Sequence, residues 1–200
     1  RYWISVAWVY WQIEQFCKFL KAQGRYDESI IILTGDHGEE FQEQGSWFHC
    51  SSLRPEQVAV PILIKWPTSM GRGQARKDVN HIDVMPTLMH ALGMPPASYQ
   101  QLAGRNLWND TPSQTSISST DYVGKTPETM VLRRDGYEAV FYWERYWESE
   151  VPKEIVLKKF TDPDGELVHC LDAVAYAEEL KAHFPDAFVR FFKSLEAVTE

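Results

Sequence analysis

The sequence predicts an α/β fold in which a sheet covered by helices is followed by a small antiparallel sheet with a C-terminal helix. Apolar residues spaced by three and four over residues 2–22 predict an amphipathic helix. A short loop leads from it to the apolar run 29–34, which is typical of a strand buried on both faces. After residue 115 the pattern changes to short segments of strand composition separated by turn residues, which predicts the antiparallel sheet.

Cap and turn residues divide the first half into short elements. The predicted segments are a helix over 2–22 ending at Gly24, a strand over 29–34, a short helix over 39–44 ending at Gly45, a loop over 46–57, a strand over 58–64, a loop over 66–80 and a helix over 84–92 ending at Gly93. The inward stripe of the first helix is predicted to consist of Val6, Val9, Ile13, Phe16 and Leu20. Pro61 predicts an edge position or a strand that starts after it. Asp83 is predicted to cap the helix that follows it.

The second half begins with a long connection rich in Pro, Gln and Asn over 94–114, where a change of subdomain is expected. We therefore predict one domain over 1–110 and a small α+β subdomain over 111–200. The elements predicted in the second are strands over 115–121, 129–134, 137–143 and 155–160, and helices over 172–182 and 185–197. Asp135-Gly136 predicts a tight hairpin turn between two of the strands.

Composition excludes several classes of protein. The chain is 44% hydrophobic, which is typical of a globular protein, and its net charge of −8 argues against binding nucleic acid. Its three cysteines have no C-x-x-C spacing, so a disulfide framework is not expected. No apolar run approaches the ~20 residues that span a bilayer. Because the chain starts at Arg1 without a methionine, we expect it to be part of a longer protein.

The segment after the predicted strand 29–34 carries the most informative chemistry. Asp36 and His37 follow the strand directly and are flanked by Gly35 and Gly38. The end of a buried strand is where α/β proteins usually bind ligands, and the glycines allow the backbone to leave strand geometry. A carboxylate oxygen beside a neutral imidazole nitrogen is a reasonable half-set of ligands for a divalent cation. An Asx-type turn with a surface histidine is the alternative interpretation.

Longer motifs around this segment resemble a known family. The run T-G-D-H-G-E-E-F is followed by a glycine, by His49, by V-P-I-L-I-x-W-P, by H-I-D-V-M-P-T-L at 81–88 and by G-R-N-L at 104–107. This order resembles the C-terminal part of a sulfatase-like hydrolase of the alkaline-phosphatase superfamily, whose relatives include phosphoethanolamine and phosphoglycerol transferases. The resemblance covers roughly the first half of the chain. It implies part of an alkaline-phosphatase-like sandwich, with a mixed sheet covered by helices.

The resemblance also implies roles for individual residues. Asp36 and His37 match the family's ligands for a divalent metal ion, which would be calcium in a sulfatase and manganese or zinc in a phosphotransferase. His49 matches a histidine or lysine that contacts the sulfate or phosphate of the substrate, although a solvent-exposed loop histidine is the simpler alternative. The family's nucleophile lies upstream, and no C/S-x-P-x-R motif occurs in this chain, so we expect the fragment alone to be inactive. Relatives are mostly extracytoplasmic or secreted, which favours that location.

Three functional hypotheses follow. The first is metal-dependent hydrolysis of an anionic ester, either a sulfate or a phosphate. The second is transfer of a phosphoethanolamine or phosphoglycerol group by a membrane-anchored protein. Cys50 weakens this second hypothesis, because transferase relatives often have a glycine there. The third is a non-catalytic sulfatase-like domain that binds a lipid or a partner protein. Glu39, Glu40 and Glu43 are expected to form a solvated helix face, with the alternative that they hold His37 as hydrogen-bond acceptors.

Overall fold

The computed structural model describes residues 1–71, 73, 75–109, 114–119, 128–143 and 155–187. In chain order the helices and strands are α1 (Tyr2–Ala22), β1 (Ile31–Thr34), β2 (Glu40–Phe41), β3 (Trp47–Phe48), α2 (Pro55–Val58), β4 (Ile62–Lys65), α3 (Val84–Ala91), β5 (Ser116–Ser119), β6 (Glu128–Arg134), β7 (Tyr137–Trp143), β8 (Ile155–Thr161) and α4 (Ala173–His183). The chain divides into two compact units, one of residues 1–36 with 60–75 and one of 37–59 with 76–200. The domain boundary near residue 110 stays a prediction.

The first unit contains α1 and an antiparallel pair of strands. Helix α1 ends as predicted, because Gly24 has a φ of 65° and donates its N–H to the carbonyl of Lys21. Its predicted inward stripe is only partly correct: Val9 and Phe16 are both 53% exposed, while the other stripe residues are half-buried. No helix in the described part of the chain is both long and apolar enough to cross a membrane.

Strands β1 and β4 pair in antiparallel register, with Ile32 opposite Ile64. Strand β4 begins at Ile62, directly after Pro61. This agrees with the second of the two alternatives for the proline, a strand that starts after it. The prediction that β1 is buried on both faces is wrong for the described residues, since Ile31, Ile32 and Leu33 are only half-buried. Lys65 donates from Nζ to backbone carbonyls of the loop that precedes β1, and its ammonium lies 4.5 Å from the ring centroid of Tyr26.

The second unit is organised around the four-stranded antiparallel sheet β5-β6-β7-β8. The Asp135-Gly136 turn joins β6 to β7 with positive φ at both residues, as a tight hairpin requires. One face of the sheet packs against α4 and the residues after it. The buried core of this face consists of Met130, Leu132, Ala139, Phe141, Phe160, Leu180, Phe184 and Ala187. Helix α4 confirms the predicted helix 172–182, and residues 188–197 of the second predicted helix lie outside the described residues.

Asp186 fastens the segment after α4 to the sheet. Its carboxylate accepts hydrogen bonds from the backbone N–H of Thr115 at 2.9 Å and from the Arg134 guanidinium at 3.1 Å. Partial burial raises the pKa of this carboxyl, but the hydrogen bonds from Thr115 and the charge of Arg134 outweigh that effect. The pKa of Asp186 therefore lies below its ordinary value.

Asp83 acts differently from the helix cap that the sequence predicts. Its fully buried carboxylate accepts from the backbone N–H of Asn80 at 2.9 Å and of Arg105 at 2.8 Å, and its side chain makes no cap bond to α3. Thr87 donates to the carbonyl of Asp83 and accepts the N–H of Leu107. These hydrogen bonds connect the H-I-D-V-M-P-T-L segment at 81–88 to the G-R-N-L segment at 104–107.

The sheets among the described residues are all antiparallel. The α/β composition and the small antiparallel sheet are therefore as predicted, whereas the mixed sheet of an alkaline-phosphatase-like sandwich stays a prediction. The short helix predicted over 39–44 is wrong. Those residues instead form β2 and the turn into β3, and the loop predicted over 46–57 contains β3 and the start of α2.

Candidate functional site

Asp36 lies two residues beyond the end of β1 and is exposed to solvent. Thr34, the last residue of the strand, is bonded through its hydroxyl to the carbonyl of Gly35 at 3.1 Å. The extended strand therefore ends before Gly35, and Asp36 belongs to the turn that follows. A solvent-exposed carboxylate in this position can reach a ligand without leaving a buried charge behind.

His37 begins the second unit, and a backbone carbonyl selects its tautomer. Its Nδ1 lies 2.9 Å from the carbonyl oxygen of Gly38. Only a protonated nitrogen can donate to a carbonyl, so in the neutral ring Nδ1 carries the hydrogen and Nε2 carries the lone pair. Histidines that bind metal ions usually have this arrangement, with the other ring nitrogen donating to a carbonyl or a carboxylate.

Gly38 is required by a close approach of two backbone segments. Its N–H donates to the carbonyl of Gln57 at 2.8 Å. A Cβ atom at this position would lie 2.1 Å from the carbonyl oxygen of Glu56. Any side chain would therefore force the turn that carries His37 away from the start of α2.

His49 is brought next to His37 by the loop that follows β3. The two ring centroids lie 4.3 Å apart with an interplanar angle of 32°. Nδ1 of His49 lies 3.1 Å from Oε1 of Glu39, and the side chains of this pair are 45% and 27% exposed. The structure thus brings His37, His49 and Glu39 into one cluster that solvent can reach.

The backbone around His49 turns sharply. Phe48 and Cys50, the residues on either side, have positive φ values of 67° and 61°. Non-glycine residues adopt this left-handed conformation at a cost, and such strain is often found at functional sites. The glycine that transferase relatives often have at the position of Cys50 would adopt the same conformation without that cost.

Glu40 anchors this loop from inside. It is fully buried, and one carboxylate oxygen accepts the N–H groups of Gln44 and Ser46 while the other accepts from Ser52 and from Gln57 at 2.8 Å. Burial by itself raises the pKa of this carboxyl. The hydrogen bonds, led by that from the Gln57 side chain, stabilise the charged form, so the pKa of Glu40 lies below its ordinary value.

Gln57 completes the anchor. Its Oε1 accepts the backbone N–H groups of Ser51 and Ser52 at 3.1 and 3.2 Å, and its Nε2 donates to Ser51 Oγ as well as to Glu40. The loop that carries His49 is therefore fixed by a buried carboxylate and a buried amide.

The glutamates differ from what the sequence predicts. They do not form a helix face, and of the three only Glu43 is exposed: Glu40 is fully buried, and Glu39 is half-buried and contacts a histidine. The histidine that Glu39 contacts is His49, whereas the alternative interpretation expected contact with His37. Sequence reasoning missed both Glu40 and Gln57 as anchors. The only available signal was the run of serines after His49, whose backbone and hydroxyl groups need acceptors.

The donor set for a metal ion is partial. Asp36 and His37 supply one carboxylate and one imidazole, and the tautomer of His37 suits a metal ligand. Within the described residues, no group of three or more His, Cys, Asp or Glu side chains has the geometry to hold a metal ion. A closed site needs three or four protein ligands, so these two residues fit a metal ion only as part of a larger set.

Comparisons with known proteins agree with the motifs. The sulfatase family model matches residues 1–94. Lipoteichoic acid synthase 1 of Bacillus subtilis is 32% identical in an alignment 143 residues long that covers 59% of this chain and 21% of that protein. An endo-4-O-sulfatase of Bacteroides thetaiotaomicron is 29% identical in an alignment 108 residues long that covers 52% of this chain and 21% of that protein. The inner membrane protein YejM of Salmonella typhimurium is 28% identical in an alignment 138 residues long that covers 63% of this chain and 22% of that protein.

A solved structure shows a similar fold. The crystal structure of a candidate sulfatase from Bacteroides thetaiotaomicron superposes with a TM-score of 0.63 and 20% identity, covering 91% of this chain and 40% of that chain. This similarity supports the mixed α/β fold. The chain spans about a fifth of the length of the curated relatives named above.

Proposed function

We propose that the protein containing this chain hydrolyses a sulfate or phosphate ester with the help of a divalent metal ion, because the sulfatase family model matches residues 1–94. The relatives include sulfatases and transferases, so the family alone leaves the reaction open. The cluster around His49 supports cleavage of an anionic ester, and Cys50, where transferase relatives often have a glycine, favours hydrolysis over transfer.

The single observation that carries the proposal is the contact between His37 and His49. The two rings lie 4.3 Å apart although twelve positions separate them in the sequence, and Glu39 contacts the second ring. An anionic ester held beside His37 would therefore have an imidazole proton donor within reach. Two histidines and an exposed surface are a suitable environment for an anion that must enter, react and leave.

In this mechanism Asp36 and His37 would hold the metal ion, together with ligands outside this chain. When bound, the metal would offset the negative charge of the ester oxygens. The Gly38 carbonyl keeps the lone pair of His37 on Nε2, the nitrogen that faces away from the backbone contact. The metal would be calcium for a sulfatase and manganese or zinc for a phosphotransferase.

His49 would donate a proton or a hydrogen bond to the anionic group or to the leaving-group oxygen. Glu39 accepts from Nδ1 of His49 and thereby favours the tautomer in which Nδ1 is protonated. Protonating the ring supplies a second N–H, on Nε2, which can be directed at the ester. Glu39 holds the ring through this contact, so it acts as a positioning residue for His49. The nucleophile, which the family places upstream, is not among these residues, and the chain alone is expected to be inactive.

A transferase is the second candidate. It is favoured by the 32% identity to lipoteichoic acid synthase 1 of Bacillus subtilis. In that case the same residues would bind a phosphoester and pass its phosphoryl-linked group to an acceptor other than water. A binding domain without catalysis is the third candidate, and the experiment below separates both alternatives from hydrolysis.

The test uses the intact protein and two small substrates, p-nitrophenyl sulfate and p-nitrophenyl phosphate, each assayed with calcium, manganese or zinc. We expect turnover of one ester, and we expect His49→Asn to lower it about 10²- to 10⁴-fold, the usual contribution of a general acid. His169→Asn is a matched control, because His169 is exposed and outside the cluster. Turnover that survives His49→Asn would contradict the assigned role. Absence of hydrolysis with either ester would favour transfer or binding.

A further inference from the structure

A cavity of about 680 Å³ lies between the His49 loop and the outer face of the four-stranded sheet. This face is opposite to the one that packs against α4, because Val131 and Val140 alternate with the core residues of their strands. The other wall is formed by Gln44, Ser46 and residues 51–56, which lie on either side of His49 in the sequence. The cavity has the size of typical small-molecule sites.

Positive charge dominates this cavity although the whole chain carries a net charge of −8. The charged residues that line it are Arg54, Arg133, Lys158, Lys159, Glu56 and Glu138. Cations thus outnumber carboxylates by four to two. A concentration of cations in the wall of a concave site attracts anions, because the field of the charges adds inside the cavity.

The two carboxylates have different environments. Glu138 accepts from Arg133 at 2.9 Å and lies 3.4 Å from Nζ of Lys159, so its charge is offset by two cations. Arg133 also donates to the carbonyl of Leu53 and thereby ties the sheet to the loop. Lys158 and Lys159 are both exposed and are the cations most accessible to a ligand.

Glu56 is a second group in the cavity wall that a ligand would contact. Its Oε2 is buried and has no hydrogen-bond partner among the described residues. Although this oxygen is shielded, the Glu56 side chain as a whole is half-buried and lines the cavity, so its carboxylate offers an acceptor to a ligand that carries hydroxyl groups. The cavity therefore offers cations for an anionic group and an acceptor for a hydroxyl.

We propose that this cavity is a subsite for a second unit of an extended substrate, a unit that carries both an anionic group and hydroxyl groups. A sulfated sugar and a phosphorylated polyol or sugar share this chemistry. The part concerning the substrate rests on the proposed function, because the loop that carries His49 also forms one wall of the cavity. Binding of the anionic unit itself depends only on the cavity.

The binding test titrates the intact protein with glucose 6-sulfate, glucose 6-phosphate and glucose, followed by ligand-observed NMR. We expect the esters to bind and glucose to bind at least about tenfold more weakly, and the preferred ester identifies the source of the anion. The variant Lys158→Gln/Lys159→Gln should weaken ester binding about tenfold. The control Lys77→Gln/Lys181→Gln removes the same charge at exposed positions outside the cavity and should bind as the wild type does.

Two further results separate this inference from the proposed function. Glu56→Ala should weaken binding of the preferred sugar ester but not of the corresponding inorganic anion. Turnover of the small p-nitrophenyl esters, which have no second unit, should be unchanged in the double lysine variant. Equal binding of the esters by the wild type and that variant, or equally tight binding of glucose, would overturn the inference. If the wild-type protein turns over neither p-nitrophenyl ester, the proposed function is refuted, while the binding results still test the cavity.

Discussion

Replacing Gln57 with leucine tests whether the buried amide holds the His49 loop in place. Gln57 is 2% exposed, and leucine has a similar size, so the change removes hydrogen bonds without opening a large cavity. Three of its side-chain bonds go to Ser51 and Ser52, and a fourth goes to the Glu40 carboxylate. The backbone of Gln57, which accepts from Gly38, would be retained.

The expected cost follows from these bonds. Each neutral bond contributes about 1 kcal/mol to the free energy of unfolding, so the three serine bonds amount to about 3 kcal/mol. The lost donor to Glu40 adds to this cost. Burial of leucine offsets about 1 to 2 kcal/mol. We therefore expect a net loss of about 2 to 3 kcal/mol, which lowers the melting temperature of a protein of this size by about 5 to 10 °C.

Two assays on the intact protein measure this effect. Thermal denaturation reports the loss of stability, and hydrogen exchange of a peptide covering residues 46–54 reports local opening of the loop. Gln100→Leu is a matched control, because Gln100 is exposed and the hydrogen bond that it donates to the carbonyl of Pro96 comes from its backbone N–H. If Gln57→Leu matches this control in melting temperature and exchange, the amide does not hold the loop.

Three other changes test separate contacts. Gly38→Ala should cost about 1 to 3 kcal/mol in a melting experiment, because its Cβ would lie 2.1 Å from the Glu56 carbonyl oxygen; an unchanged melting temperature would contradict that contact. Glu39→Gln should lower kcat about tenfold without changing KM or the melting temperature, since it weakens the hydrogen bond that orients the His49 ring; an unchanged kcat would exclude that role. Asp186→Asn should cost about 1 kcal/mol at pH 7 after solvent screening. Because the pKa of Asp186 is lowered, its stabilisation is present above the ordinary value of 3.8 and is lost as pH falls through the folded-state pKa. A stability difference that stays constant from pH 7 to about pH 3 would refute this linkage.

Local signals in the sequence were sufficient where the structure depends on one or two residues. Gly24 ends α1, Pro61 precedes β4, and Asp135-Gly136 forms the hairpin turn, because each residue restricts or permits backbone conformations by itself. The structure places His49 beside His37, whereas the metal and catalytic roles of these residues stay predictions.

Contacts between distant residues could not be predicted in this way. The run 39–44 has helix-forming residues, but the pairing of β2 with β3 places Glu40 inside the loop, where Gln57 and the serines stabilise its charge. Nothing local distinguishes it from its glutamate neighbours. The role of Asp83 was missed for the same reason, since its partner Arg105 lies 22 positions away. Gly104 supports that contact, because a Cβ there would lie 2.0 Å from the carbonyl oxygen of Ile82.

The metal content of the intact protein tests the central claim most directly. We predict that Asp36→Ala loses the bound divalent ion and its turnover, while Asp164→Ala, a change in an exposed turn, retains both. Elemental analysis of the purified variants and assay of the preferred p-nitrophenyl ester give the two readouts. Unchanged metal content and unchanged turnover in Asp36→Ala would contradict the assignment of this residue and, with it, the proposed metal-dependent site.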